Sequence, residues 1–231
     1  MLEINSRRTW PTGYAIHPCA PSVERRWLEA FAHIPSAIVS DCLGRNCGAL
    51  GLKPFHGERP LLGTALTVRT RPGDNLMVLK AILMARPGDV IVIDGSGDTT
   101  RAVVGGIMRA LALRAGVVGF VVAGAIRDLA EWRGGELPVF ALESAHRGPS
   151  SEGNGEINVP ILCAGMLVNP GDLVIGDLDG VVAIPREELA RMHRACYQLL
   201  DRERAIMASI ESGTYDSSRF DTLLKSKGCP V

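Results

Sequence analysis

The feature that most constrains this chain is a change of hydrophobic period that happens twice. Gly63–Thr70 alternates, with Thr64, Leu66 and Val68 on one face and Ala65, Thr67 and Arg69 on the other, the two-residue period of a strand. From Asn75 to Ala85 the apolar residues follow helical spacing, and Asp74 stands where it can cap the first turn. Pro87-Gly88 then turns the chain into the β-branched run Val90–Ile93. The order repeats: a loop at Asp94–Asp98, a helix at Ile107–Ala115, and a strand at Val117–Val122 with its own Gly124 turn. Strand, helix, strand at this spacing implies right-handed parallel crossovers.

The flanking regions read differently. Helices are expected at Val23–His33 and at Ser36–Arg45, where Pro35 and Ser36 start the second and Gly48 and Gly51 stop it. After Arg133 come short strands at Pro138–Ala141, Pro160–Cys163, Leu173–Ile175 and Val181–Ile184, with turn signals at Asn169–Asp172 and Asp177–Gly180. Arg147–Gly155, rich in Ser and Gly, reads as a loop, and no internal repeat is apparent. Pro185 opens a C-terminal helix over 186–213, with Glu187 and Glu188 suited to its positive end and Gly213 as the stop. At about 40 Å it is longer than one small domain needs, so it is expected to pack on a neighbouring subunit. The 231 residues are read as one α/β domain over 1–231, a mixed β-sheet core flanked by helices.

Composition narrows the function. Twenty-five basic residues balance twenty-five acidic ones, which removes the charge footprint of a nucleic-acid or anionic-membrane binder. The longest nearly uninterrupted apolar stretch, Ala115–Ile126, is 12 residues long, against the ~20 that span a bilayer. Met1–Trp10 has no apolar segment of the secretory kind, so a cytoplasmic protein is expected, with its six scattered cysteines as reduced thiols. Cys42 and Cys47 form the one close pair, without a second pair or a nearby His to make a zinc site.

Function must therefore come from a site, and one pair of segments supplies it. Gly105-Gly106-Ile107-Met108 places two glycines where a helix begins and its free N–H groups can bind an anion. Gly124-Ala-Ile-Arg-Asp-Leu-Ala-Glu131 puts Arg127, Asp128 and Glu131 just past the C-terminal edge of a parallel strand, beside that helix start. Asp128 and Glu131 share a face if Asp128 opens a short helix, and two carboxylates so placed suit a hydrated magnesium ion. The plainer reading is a surface pair of Arg127 with Asp128 and a solvated Glu131. Other signals are weaker. Asp94–Asp98 lacks the full glycine fingerprint of a nucleotide-binding turn, and the histidines show no ligand spacing; His146 and Arg147 stand in a loop from which they could contact substrate, though a solvated loop is the preferred reading, and Ser40 and Ser96 have no evident His/Asp partners.

The spacing Gly106, twenty residues, Arg127-Asp128, two residues, Glu131 resembles the signature of the RraA-like class II pyruvate aldolases, relatives of the regulator of ribonuclease activity A. Pro35–Gly44, Pro87–Asp94, Pro138–Ala141, Pro170–Asp172 and Asp177–Val182 are similar to further blocks of that family. The resemblance implies a swivelling β/α sandwich and a metal-dependent aldolase that cleaves a 4-hydroxy-2-oxo acid, such as 4-hydroxy-4-methyl-2-oxoglutarate or 4-carboxy-4-hydroxy-2-oxoadipate. The products would be pyruvate and a second 2-oxo acid, with oxaloacetate decarboxylation as a side activity. It implies that Gly105, Gly106, Ile107, Met108 and Arg127 hold the pyruvoyl part, that Asp128 ligates Mg2+, Mn2+ or another divalent cation, and that Glu131 acts on it through water. Arg127 and Glu131 are then the catalytic pair. Where some members carry an acid at the position of Gly106, this chain carries it at Glu131. The resemblance further implies a homotrimer or homohexamer whose neighbouring subunit lends an acidic residue from its C-terminal part, and it aligns that residue to none of Glu187, Glu188, Asp201, Glu203 and Glu211 in particular. A non-catalytic, ribonuclease-binding regulator is the alternative.

Overall fold

The computed structural model describes residues 11–134 and 136–231. Met1–Trp10, on which the expectation of no secretory segment rests, lie outside the described residues. In chain order the elements are β1 (Tyr14–Ile16), α1 (Arg25–Phe31), α2 (Ser36–Cys42), β2 (Lys53–Pro54), β3 (Leu61–Thr70), α3 (Leu76–Met84), β4 (Asp89–Asp94), β5 (Ala102–Val104), α4 (Gly106–Ala115) and β6 (Gly119–Ile126). There follow α5 (Leu129–Arg133), β7 (Val139–Ser144), β8 (Gly155–Ile157), β9 (Ile161–Cys163), β10 (Met166–Val168), β11 (Leu173–Asp177), β12 (Gly180–Ile184), α6 (Leu189–Glu211) and α7 (Ser218–Ser226).

The two changes of period build the centre of the molecule: β3, β4, β6 and β7 lie side by side and parallel. Their alternate residues serve two cores. Leu66, Val68, Ile91 and Ile93 pack under α3 and α4, while Ala65, Val90 and Val92 face the β9–β10 hairpin. Covering both faces makes every residue of β6 buried, which is why that segment reads as a continuous apolar run. The other edge of β3 is shared, β8 pairing antiparallel at residues 68–70 and β11 at 61–64. β11 and β12 form the hairpin expected at Asp177–Gly180 and carry α1, α2 and α6 on a third core.

Pro87-Gly88-Asp89 and Pro170-Gly171-Asp172, the same tripeptide in the sequence, fold alike. In both turns the Gly has φ +90°, and the Asp carboxylate accepts the N–H of the residue three before it at 2.8 Å. Each turn feeds a strand that flanks β3, one parallel and one antiparallel, with Thr64 aligned to Asp89 and to Leu173.

The differences from expectation have physical causes. The helix after Asp74 is bounded by Asn75, and Asp74 instead accepts the Leu76 N–H with its side chain, at 2.9 Å. The C-terminal helix begins with a single 3₁₀ turn at Arg186–Glu188, becomes α-helical at Leu189, and ends before Gly213, which adopts φ +71°. Only Leu189, Met192 and Cys196 of α6 are buried, and α7 buries nothing. No helix among the described residues is long and apolar enough to cross a membrane.

Candidate active site

The site forms where β6 ends. After Ile126 the backbone enters the left-handed region at Asp128, φ +62°, a conformation that Asp tolerates better than bulkier residues, and α5 begins at once. Two bonds fix the turn. The Arg127 N–H donates to Val104 O at 3.0 Å, and the indole N–H of the fully buried Trp132 donates to Arg127 O at 2.8 Å.

The turn delivers its carboxylates to the start of α4. Gly106 N–H donates to Asp128 Oδ2 at 2.7 Å, and Arg127 Nε lies 3.6 Å from the same oxygen. A Cβ at Gly105 would stand 2.7 Å from Asp128 Oδ2, and one at Gly106 2.6 Å from Glu131 Oε1. The glycine pair is therefore needed for close approach, and Glu131 fills the space in which a side chain at 106 would begin. The Arg109 N–H starts the helical ladder by donating to Gly105 O at 2.9 Å, so the amides of Ile107 and Met108 have no acceptor within the helix. Arg127 and Asp128 keep 39% and 42% of their side chains exposed, so this is not a sealed salt link.

A second acid shapes the neighbouring wall. Asp74, whose side chain is fully buried, accepts the N–H groups of Leu76, Glu152 and Gly153 at 2.8–2.9 Å and the Ser150 hydroxyl at 2.5 Å, with Arg71 at 3.4 Å. Burial works to raise its pKa, but the bonds from Ser150 and the three amides outweigh that and hold the carboxyl below its ordinary value. The clamp ties the segment 148–153 to the start of α3. That places Pro149 in the site and sets Gly148 so close to Arg127 that a Cβ there would meet Nη1 at 2.9 Å.

Two clefts meet at Arg127. One, of about 170 Å3, is walled by Leu79, Val103, Val104, Met108 and Pro149 and reaches Gly105, Ile107 and Asn75. The other, of about 230 Å3, lies across the ends of β6 and β7 and includes Asp128, Ser144 and His146. The structure thus brings together Gly105, Gly106, Arg127, Asp128 and Glu131, with Met108 in the first cleft and the exposed Ile107 side chain at its mouth. Glu131 rests against the first turn of α4 and lines neither cleft; nor do Glu187, Glu188, Asp201, Glu203 or Glu211. Sequence reasoning missed Asn75, which is 8% exposed; its Oδ1 accepts the Ser151 hydroxyl at 2.7 Å, and its Nδ2 lies 3.4 Å from Met108 Sδ. The only signal for it was a polar residue at a helix boundary. His146 is exposed, as expected of a loop residue, yet it lines the second cleft.

Comparisons with known proteins bear on the family and the fold. The model of the family described as RraA-like, Aldolase/RraA, matches residues 36–183. A protein of Halalkalibacterium halodurans that bears the name "Putative 4-hydroxy-4-methyl-2-oxoglutarate aldolase" is 41% identical over 80% of this chain and 90% of its own length. Among solved structures, an uncharacterized protein from Pseudomonas syringae pv. tomato is 27% identical with a TM-score of 0.74, covering 84% of this chain and 96% of that one. The RNA-processing inhibitor RraA from Thermus thermophilis is 31% identical with a TM-score of 0.60, covering 65% of this chain and 92% of its own.

Proposed function

Because the chain belongs to the RraA-like, Aldolase/RraA family, we propose that it is a divalent-metal-dependent aldolase that cleaves a branched 4-hydroxy-2-oxo acid to pyruvate and a second 2-oxo acid. The observation that carries this reading is the half-engaged carboxylate of Asp128. One of its oxygens is held by the first amide of α4, and the group stays open to solvent beside Arg127. 4-Hydroxy-4-methyl-2-oxoglutarate and 4-carboxy-4-hydroxy-2-oxoadipate are the substrates of choice, and oxaloacetate decarboxylation is the expected side reaction.

Asp128 is suited to hold the cation, with Glu131 acting on it through water. Among the described residues no three His, Cys, Asp or Glu side chains gather, and so sparse a donor set suits a hydrated magnesium or manganese ion rather than a caged one. When bound, the cation supplies Lewis-acid stabilisation of negative charge. The chain's own groups account for the rest. Arg127 and the free amides of Ile107 and Met108 donate to the substrate's carboxylate and to the C2 oxygen as it gains charge. The C3–C4 bond breaks, its electron pair passing through C3 to the C2 oxygen as an enolate. The C4 hydroxyl gives its proton through water to Glu131 and becomes the carbonyl of the departing acid. Protonation at C3 then yields pyruvate.

The same reading includes self-assembly into a trimer or hexamer. Met207 and Ile210 on α6 and Phe220 and Leu223 on α7 are all about half exposed, which leaves the C-terminal arm an apolar face for a second copy of the chain. A coupled pyruvate assay over a panel of 4-hydroxy-2-oxo acids, with magnesium and then with chelator, tests the function. Pyruvate release that chelation abolishes is expected. Release from no substrate, together with capture of a ribonuclease, would favour a non-catalytic regulator, in line with the inhibitor relative.

A further inference from the structure

The two clefts at Arg127 differ in chemistry. The first has apolar walls and receives the α4 amides, a fit for the short pyruvoyl half of a substrate. The second opens between the ends of two adjacent parallel strands, where Ile126 aligns with Ser144 and the Ala145 N–H donates to Ile126 O at 2.9 Å. Two residues beyond each aligned strand end, the chain carries Asp128 on one side and His146 on the other. Apart from Arg127, only Ser144 and His146 among the lining residues have side-chain hydrogen-bond donors. Ligands of parallel sheets bind at this edge.

An aldol substrate of the proposed class carries one carboxylate on its pyruvoyl half and one or two on the other. A single guanidinium on the wall between the clefts leaves one of those carboxylates in need of another donor. We propose that the second cleft seats the carbonyl fragment released from C4, and that the His146 ring donates a hydrogen bond to that fragment's carboxylate, making His146 a residue that selects the leaving acid. This rests on the aldolase reading. Oxaloacetate, which loses only carbon dioxide, places no such fragment in the cleft and serves as the internal control.

The test compares wild type with His146→Ala and His146→Gln on 4-carboxy-4-hydroxy-2-oxoadipate and on oxaloacetate. His146 is exposed, so neither variant opens a cavity in the core. The alanine variant is expected to lose about tenfold or more in kcat/KM on the adipate, chiefly in KM, as for one hydrogen bond to a charged group. Its oxaloacetate decarboxylation is expected to stay within about twofold of wild type, and glutamine to restore part of the loss. Equal loss on both substrates, or no loss on the adipate, overturns the inference and leaves the aldolase reading standing. A wild type that releases pyruvate from neither substrate removes the aldolase reading, and the inference falls with it.

Discussion

Asp74 and Asp128 each bring a carboxylate to the first amide of a helix, yet they do opposite work. Asp74 is shut away from solvent and saturated by three amides, a hydroxyl and a guanidinium. Asp128 takes one amide, has Arg127 at 3.6 Å, and keeps 42% of its side chain exposed. The same residue type at the same kind of helix start is thus a fastener in one place and an open ligand in the other. The difference lies in how many donors surround it. A carboxylate whose lone pairs are all taken holds structure, and one with spare capacity facing a cleft can hold something else.

This contrast is breakable in several ways. Arg127→Ala or Asp128→Ala should each cost about 3 kcal/mol or more of transition-state stabilisation, read as kcat/KM for pyruvate release, with little change in unfolding. Asp74→Ala should do the reverse. Orphaning several buried donors is expected to remove about 3 kcal/mol from denaturant unfolding, and equal unfolding losses at 74 and 128 would erase the distinction. Gly106→Ala sharpens it further. The new Cβ would displace the flexible end of Glu131, so activity should fall about tenfold while stability holds or rises by up to about 1 kcal/mol, the helix preference for Ala.

A further effect, seen only as a pH dependence, concerns a third carboxylate. Asp172 is buried in its turn, and burial, only partly offset by bonds from Asn169, pushes its pKa up to about 6 from 3.8. Its folded form prefers the proton, so its contribution to stability is fully present below about pH 4 and is lost as pH rises through 6. Asp74, held low, works the other way, its contribution present above its unfolded pKa and lost in stronger acid. Asp172→Asn should flatten the stability profile between pH 4 and 6, as measured by urea unfolding across that range.

Much of this was legible in the sequence, because central parallel strands and their crossover helices carry their own period. β3, α3, β4, α4 and β6 follow from Leu66, Val68, Val90–Ile93 and the Pro87-Gly88 turn. β1, β2, β5, β8 and β10 escaped notice because partners define them. Gly155–Ile157 looks like loop until β1 and β3 pair with it, and Ala102–Val104 is too brief to show alternation. At the site, spacing set Arg127, Asp128 and Glu131 together beside the Gly105-Gly106 helix start, but it equally allowed a plain surface pair, and only the family resemblance gave these residues roles. Asn75 and Ser150 could not be found this way, and His146 showed only as a loop residue within possible reach of substrate, because α3 and the 144–153 segment meet the site only after the sheet has formed. Nor does spacing show that Asp128 itself takes the Gly106 amide, leaving only Ile107 and Met108 to offer theirs.

The most direct measurement is pyruvate release from 4-hydroxy-4-methyl-2-oxoglutarate by wild type and Asp128→Asn across a magnesium titration. Asn keeps the side chain's shape and an acceptor for Gly106 but gives up the charge. The account predicts saturable, chelator-sensitive turnover in wild type, and a variant that unfolds normally yet turns over at least about a hundredfold more slowly at every magnesium concentration. Wild-type turnover indifferent to chelator, or an Asp128→Asn variant as active as wild type, would contradict it.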